Sequence, residues 1–458
     1  MHRSLLIAAA LLLSGLPAAA QEDTGAKAPS ATELSIYRND LALVTGHRTV
    51  ELQAGEAEIA MSPISPGIVP ESLNLSGDDI RLMGQELTPW PLTRERMLGA
   101  FVGKQVTLVR PARNGKTPVE QAATLLSVDG GVVVRVDGGI EVEPEGRIVF
   151  PELPEHLSAE PRATFRIGVD EAGSRSLTLR YLTRGLSWSA GYVARWDDEA
   201  GTLDLTGMAT LESSLSTPIG AEKVRLVAGD VAITREEQRA PRMDERTMAM
   251  AAESKAAVPE AETRADLKVY PLKRPVTLRP GSRVQRPLLA AEGVAVERRY
   301  RIEGLAIAQP FGGEREASAR LRLLVPDTRK AGLGQALPAG TVRVYDGEVF
   351  RGAQAVGDTP LGSELALDLG AAFDITAKAR QKVFERIGER AYETAQEIVL
   401  KNAKDRDVTV RIIGRFPPEW TMLSESHPHE AETATQPVWT IDVPSGGAAT
   451  LTYRVRVQ

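Results

Sequence analysis

The sequence predicts an all-β, multi-domain fold of immunoglobulin-like β-sandwich modules with a small β-barrel insert. Three observations lead there. Short runs alternate apolar and polar residues along most of the chain, as in "LSIYRNDLALV", "RTVELQAGEAEIAM" and "SRSLTLRYLT", and each is bounded by Gly, Asn, Asp or Pro. Tight Asp-Gly and Gly-Gly turns punctuate "QAATLLSVDG", "GVVVRVDGG" and "IEVEPEGRIVF", as in a small closed sheet. Apolar residues make up 42% and charged residues 25% of the 458 positions, ordinary values for a chain long enough to bury several cores.

In chain order, residues 1–20 read "MHRSLLIAAALLLSGLPAAA": a basic start at His2 and Arg3, an apolar run from Leu5 to Leu13, and small residues at Ala18 and Ala20. This predicts a signal peptide cleaved before Gln21 and a periplasmic or secreted product. The run is shorter than the roughly 20 residues a bilayer span needs, and no later stretch approaches that length, so no transmembrane segment is expected. Cysteine is absent, which excludes disulfides and a lipid anchor on an N-terminal Cys.

Residues 21–32 form a small, polar, flexible lead, 33–96 an N-terminal β-rich region, and 97–150 the barrel insert. A Pro-rich joint opens the central sandwich at 151–234. Residues 235–266 combine dense charge with many alanines and no apolar periodicity, the composition of a disordered linker. Strands resume at 267–335, continuing the central module, and 336–458 read as a C-terminal immunoglobulin-like sandwich. One stretch, 376–393, reads two ways. Ile375, Ala379, Val383 and Ile387 recur every four residues, which fits a helix. A strand pair turning at Gly388 is preferred, because it delivers "AQEIVLKNAKDRDVTVRII" to a sandwich edge.

Charge and motifs exclude several functions. The formal net charge is -6 and the pI about 5.7, so nucleic acid is not expected as a partner. In "GLSWSAG" Ser187 has a glycine only two residues before it and Ser189 only two residues after it, so neither has both and the hydrolase elbow is missing. "NGKTP" at Gly115, Lys116 and Thr117 ends like a phosphate loop, but Arg110 replaces its first glycine. After Gly332 and Gly334, Leu337 stands where a dinucleotide loop needs a third glycine. No cofactor is expected.

Three constellations remain as site candidates. "YLTRGLSWSAGYVARW" sets Trp188, Tyr192 and Trp196 at even spacing, so all three fall on one face of a strand. They could be a glycan-contacting ladder, yet they alternate with Leu and Ala, as in the interdigitated core of facing sheets, and core is the preferred reading. Asp197 and Asp198 beside Trp196 would suit a glycosidase, but "WDDEAGTL" has the form of a hairpin turn. "SESHPHEAE" clusters His427 and His429 with Glu425, Glu430 and Glu432, a mixed metal-ligand set or a solvated loop shaped by Pro428. Met248 and Met250 could hold a soft metal but sit in the expected linker.

Several ordered blocks carry a family resemblance: "IYRNDLALV" with "PESLNL", "VGKQVTLVR", "YLTRGLSWSAGYVA" with "LDLTGMATLES" and "VRLVAGDV", "YPLKRPVTL" with "VERRY", and "EIVLKNAKDRDVTV" through "LTYRVRV". Together they resemble an exported bacterial family with a C-terminal domain of unknown function, similar to proteins called mucoidy inhibitor A. The resemblance implies a link to the cell envelope or to exopolysaccharide, and no established activity. The coiled-coil segment of many longer relatives has no counterpart here. The expected function is a non-catalytic exported envelope protein acting as a binding or scaffolding module, its partner an envelope protein or glycan. The alternatives are a carbohydrate recognition protein, then an envelope hydrolase with a carboxylate site.

Overall fold

A computed structural model describes residues 31–88, 91–111, 117–154, 156–158, 160–231, 262–264, 267–389 and 391–458, and it is all-β with several sheets. Among the described residues the helical elements are Arg94–Ala100 and a 3-10 turn at Pro70–Ser72. The signal peptide expected at 1–20, nearly all of the lead expected at 21–32, Gly115 and Lys116, and most of the linker expected at 235–266, with Met248 and Met250, lie outside the described residues. At the linker's end Glu262–Arg264 is a strand, paired antiparallel with Leu267–Leu272. No helix among the described residues is long and apolar enough to cross a membrane.

The chain divides into two compact units. In the first, the Ala163–Val169 strand lies antiparallel between Gly55–Met61 and Ile80–Leu87, with Phe165 and Ile167 buried. The insert is a five-stranded antiparallel sheet in the order Arg147–Val149, Gln105–Arg110, Val119–Ser127, Val133–Val136, Gly139–Val142. Its alternating inward residues Val106, Leu108, Ala123, Leu125 and Val134 close on Leu98 and Phe101. Leu98 arrives on the Arg94–Ala100 helix, whose start is fixed by Thr93: its hydroxyl accepts from the Arg96 amide at 3.2 Å. The insert's core therefore takes in a helix that begins before residue 97.

The second unit includes two facing sheets, a short two-stranded sheet of Ile219–Ala221 and Val276–Leu278, and one large sheet. The central sheet runs Arg283–Ala295, Thr202–Ser213, Leu186–Asp197, Gly340–Asp346, Val349–Val356. Leu186–Asp197 pairs antiparallel with Thr202–Ser213 and parallel with Gly340–Asp346. Opposite its aromatic face stand Lys223–Ala228, parallel to Ala31–Ile36, and Leu267–Leu272. The indole of Trp188 donates to the Val227 carbonyl at 3.1 Å, and its ring lies 6.3 Å from that of Tyr270. This is sandwich packing, in which one sheet's side chains fill the spaces of the other.

The nine-stranded sheet runs Trp420–Glu425, Ala448–Val457, Tyr392–Asn402, Leu365–Arg386, Glu314–Val325, Glu297–Ile307, Val408–Arg415, Gln436–Val443, His429–Thr433. Residues 376–393 are a strand pair, with Ile387 and Gly388 donating to the Ala391 carbonyl at the turn. The boundary expected at 335/336 is corrected here. Glu297–Ile307 and Glu314–Val325 sit inside the nine-stranded sheet, while Gly340–Asp346 and Val349–Val356 extend the central one. Strand partners far apart in sequence decide membership, which a linear reading of alternation does not register.

Candidate functional site

The aromatic row is core, not a glycan platform. Trp188, Tyr192 and Trp196 are 2%, 1% and 5% exposed, and burial alternates along the strand as the side-chain parity requires. Room for the Tyr192 ring comes from missing side chains across the ladder. A Cβ on Gly207 would stand 2.9 Å from the ring, and one on Gly340 would stand 3.0 Å from it and 2.3 Å from the Ala190 carbonyl oxygen. The Tyr192 hydroxyl donates to the Pro338 carbonyl at 2.7 Å, and burial raises its pKa. Rings buried this way have no face to offer a sugar.

Asp197 and Asp198 do structural work. The Asp197 carboxylate accepts from the amides of Glu199 and Ala200 at 3.0 and 2.9 Å, which makes the hairpin turn. Asp198 is bridged by Arg298 at 2.5 Å and Arg406 at 2.6 Å, joining the central sheet to the nine-stranded one. Burial pushes the Asp198 carboxyl up, but the two guanidinium groups outweigh it and hold its pKa below the usual carboxylate range. Glu393 is held low in the same way by Arg456 and Arg454, each donating two hydrogen bonds.

His427 and His429 part company. His429 places Nδ1 at 2.9 Å from the Glu425 carboxylate, which also accepts from the Trp439 indole at 2.8 Å. His427 places Nδ1 at 2.9 Å from the Ser426 hydroxyl. The His429 ring lies between those of Trp420 and Trp439, at 5.3 and 6.0 Å. Among the described residues no three His, Asp or Glu side chains are grouped where they could hold a metal ion.

A polar cleft missed by the sequence reading lies at the end of the central sheet. Its lining includes Asp40, Ser187, Glu212, Ser213, Ser282 and Arg283, around a volume of about 200 Å³. Asp40 sits at φ 52°, in the left-handed region that Asp tolerates better than most residues, and its carboxylate accepts from the Gly185 amide at 2.9 Å. Burial raises the Asp40 pKa, against the lowering effects of that amide and of Arg184. Glu212 and Arg283 pair across the ladder at 3.0 Å. The hydroxyls of Ser213 and Ser282 are shielded from solvent and have no hydrogen-bond partner. No local signal marked the serines, since they meet only through the strand pairing.

Exposed apolar side chains lie elsewhere. Val349 and Phe350 project from the edge strand Val349–Val356, and Phe373 is 93% exposed. Comparison with protein-family models, with curated proteins and with solved structures gives no match to this chain.

Proposed function

We propose that this chain is a non-catalytic exported envelope protein acting as a binding or scaffolding module. One observation supports the reading above the others: the groups best suited to chemistry are spent tying strands together. Asp198 grips Arg298 and Arg406, Glu393 grips Arg454 and Arg456, and Glu425 grips His429 and Trp439. A carboxylate held low by two fixed cations is a weak general base at neutral pH. The export signal at 1–20 and the resemblance to mucoidy inhibitor A proteins support the envelope as its site of action. The edge strand with Val349 and Phe350, together with Phe373, supplies apolar surface of the kind partners cover.

Proximity labelling with the full chain in the exporting cell tests this. Envelope components are the expected neighbours, and a purely cytoplasmic set would overturn the reading. A broad substrate screen on the purified protein is expected to show no turnover. Turnover lost in Asp197→Asn or Asp198→Asn, with folding kept, would replace this function with an envelope hydrolase.

A further inference from the structure

We propose that the open face of the central sheet binds a sugar acid, with the carboxylate of a uronic acid unit on Arg343 and its ring against Phe350 and Tyr345. The inference rests on the binding reading and names its ligand class. It uses the sheet face opposite the buried aromatic row.

Parity places the site. Trp188, Tyr192 and Trp196 point inward, so the alternate residues of the same strand, Gly191, Val193 and Arg195, point outward. Strand register extends them into rows. Arg195 stands between Asp204 and Tyr345, and Tyr345 stands opposite Phe350. In the next row Arg343 stands between Val193 and Ala353. This face is open to solvent, with Arg195, Asp204 and Thr206 exposed. The Tyr345 and Phe350 rings are 5.4 Å apart, and Phe350 is 54% exposed.

Arg343 carries the uncommitted charge. It makes no hydrogen bond or ion pair among the described residues. Its guanidinium lies along the sheet at Gly191, where a Cβ would stand 3.9 Å from Nη1. The other charges of this face are engaged. Asp204 stands opposite Arg195 and accepts from the Gly293 amide at 2.8 Å, and Glu212 pairs with Arg283 at 3.0 Å. A planar guanidinium takes a carboxylate in two parallel hydrogen bonds, and such charge-assisted bonds are about twice as strong as neutral ones.

Spacing selects a sugar acid over a simple anion. Arg343 and Tyr345 lie two residues apart on one strand face, about 7 Å, which one pyranose with its carboxylate spans. The C–H face of a sugar ring packs on an aromatic ring, and Thr206 and Thr341 add hydroxyls to the same face. Acetate reaches the arginine alone and a neutral sugar the rings alone, whereas a uronic acid unit reaches both. A nucleic acid is disfavoured by the net charge of -6.

The test titrates the full chain, by ligand-observed NMR and calorimetry, with methyl glycosides of glucuronic, galacturonic and mannuronic acid, with the methyl ester of each, and with acetate and phosphate. At least one uronoside should bind about tenfold more tightly than its neutral ester and than acetate. Arg343→Gln should erase the preference for acid over ester, while Phe350→Ser should weaken both forms. Both variants should keep the parent melting temperature, because each side chain faces solvent. Added salt should weaken uronoside binding and leave the ester unchanged. Equal affinity for acid and ester, acetate or phosphate bound as tightly as the uronosides, binding by no probe, or binding unchanged in both variants would each overturn the site. A dimer in solution that Phe350→Ser dissolves would also overturn it, by assigning the face to a second copy of the chain. Failed titrations with envelope neighbours still labelled would remove this site alone. Uronoside binding with cytoplasmic neighbours would remove the envelope role alone.

Discussion

Two aromatic assemblies in the second unit are built on opposite plans. Trp188, Tyr192 and Trp196 come from one strand, and the polar tips of the first two end on backbone carbonyls, Val227 and Pro338. Phe416, Trp420, His429, Trp439 and Tyr453 come from five separate stretches and pack ring against ring, with Trp439 stacked on Tyr453 at 5.0 Å. Their centre is a carboxylate, Glu425, bound to His429 and Trp439. One assembly is a strand's parity filled with large side chains. The other exists only once a sheet has curled far enough to bring its edges together.

The sharpest way to break the comparison is to remove one anchor from each side. Trp188→Ala and Trp439→Ala should each lower the unfolding free energy by about 3–5 kcal/mol in denaturant titrations, the range for buried Trp truncation. An unchanged Trp188→Ala would return the row to the surface. Next comes Gly340→Ala, whose Cβ would press on the Ala190 carbonyl and the Tyr192 ring. It should destabilise by about 1–3 kcal/mol, the usual cost of overpacking, read from the same titrations.

A smaller effect separates charged ties from aromatic ones. Asp198→Asn should lower stability by about 1 kcal/mol, since its pair is partly exposed. The pH dependence has a definite sign. Asp198 and Glu393 have lowered pKa values in the fold, and the hydrogen bonds of Arg225 and Lys223 bring Glu33 down to about 2. Their contribution is therefore complete above the unfolded value of about 4 and is lost as pH falls through the lowered values. Melting temperature should decline from about pH 4 toward pH 2, less steeply in Asp198→Asn, while Trp188→Ala shifts the whole curve without changing its slope. The smallest change expected is at Phe373: Phe373→Ser should stay within about 0.5 kcal/mol, because a side chain 93% exposed has little packing to lose.

The same contrast explains what the sequence could disclose. Alternation put Trp188, Tyr192 and Trp196 on one face because strand parity is local, and the burial pattern follows it residue for residue. The recurrence of Ile375, Ala379, Val383 and Ile387 suggested a helix for a related reason: a spacing of four is also twice the strand period, so it keeps one strand face. The strand Leu365–Arg386 indeed buries Ile375 and Ala379. The Arg298, Asp198 and Arg406 tie was not legible, since its members lie 100 and 208 residues apart. The cleft was hidden for the same reason. Its two unpartnered serines sit in different strands' ends and are joined by one backbone bond, from the Ser213 amide to the Ser282 carbonyl at 3.1 Å.

The nine-stranded sheet has a consequence for how the molecule would fail. Its terminal strands, Trp420–Glu425 and His429–Thr433, follow one another in the chain and, beyond that link, are tied by the Trp420–His429 ring contact and the Glu425–His429 bond rather than by a backbone ladder, with Trp439 of Gln436–Val443 also bound to Glu425. Such a seam is fastened at points, so it can part without first unzipping any strand from its neighbour. Parting would uncover two strand edges in the same event, and unprotected edges are templates for pairing with other chains. Opening this line would thus also offer the sheet to neighbouring molecules as a template.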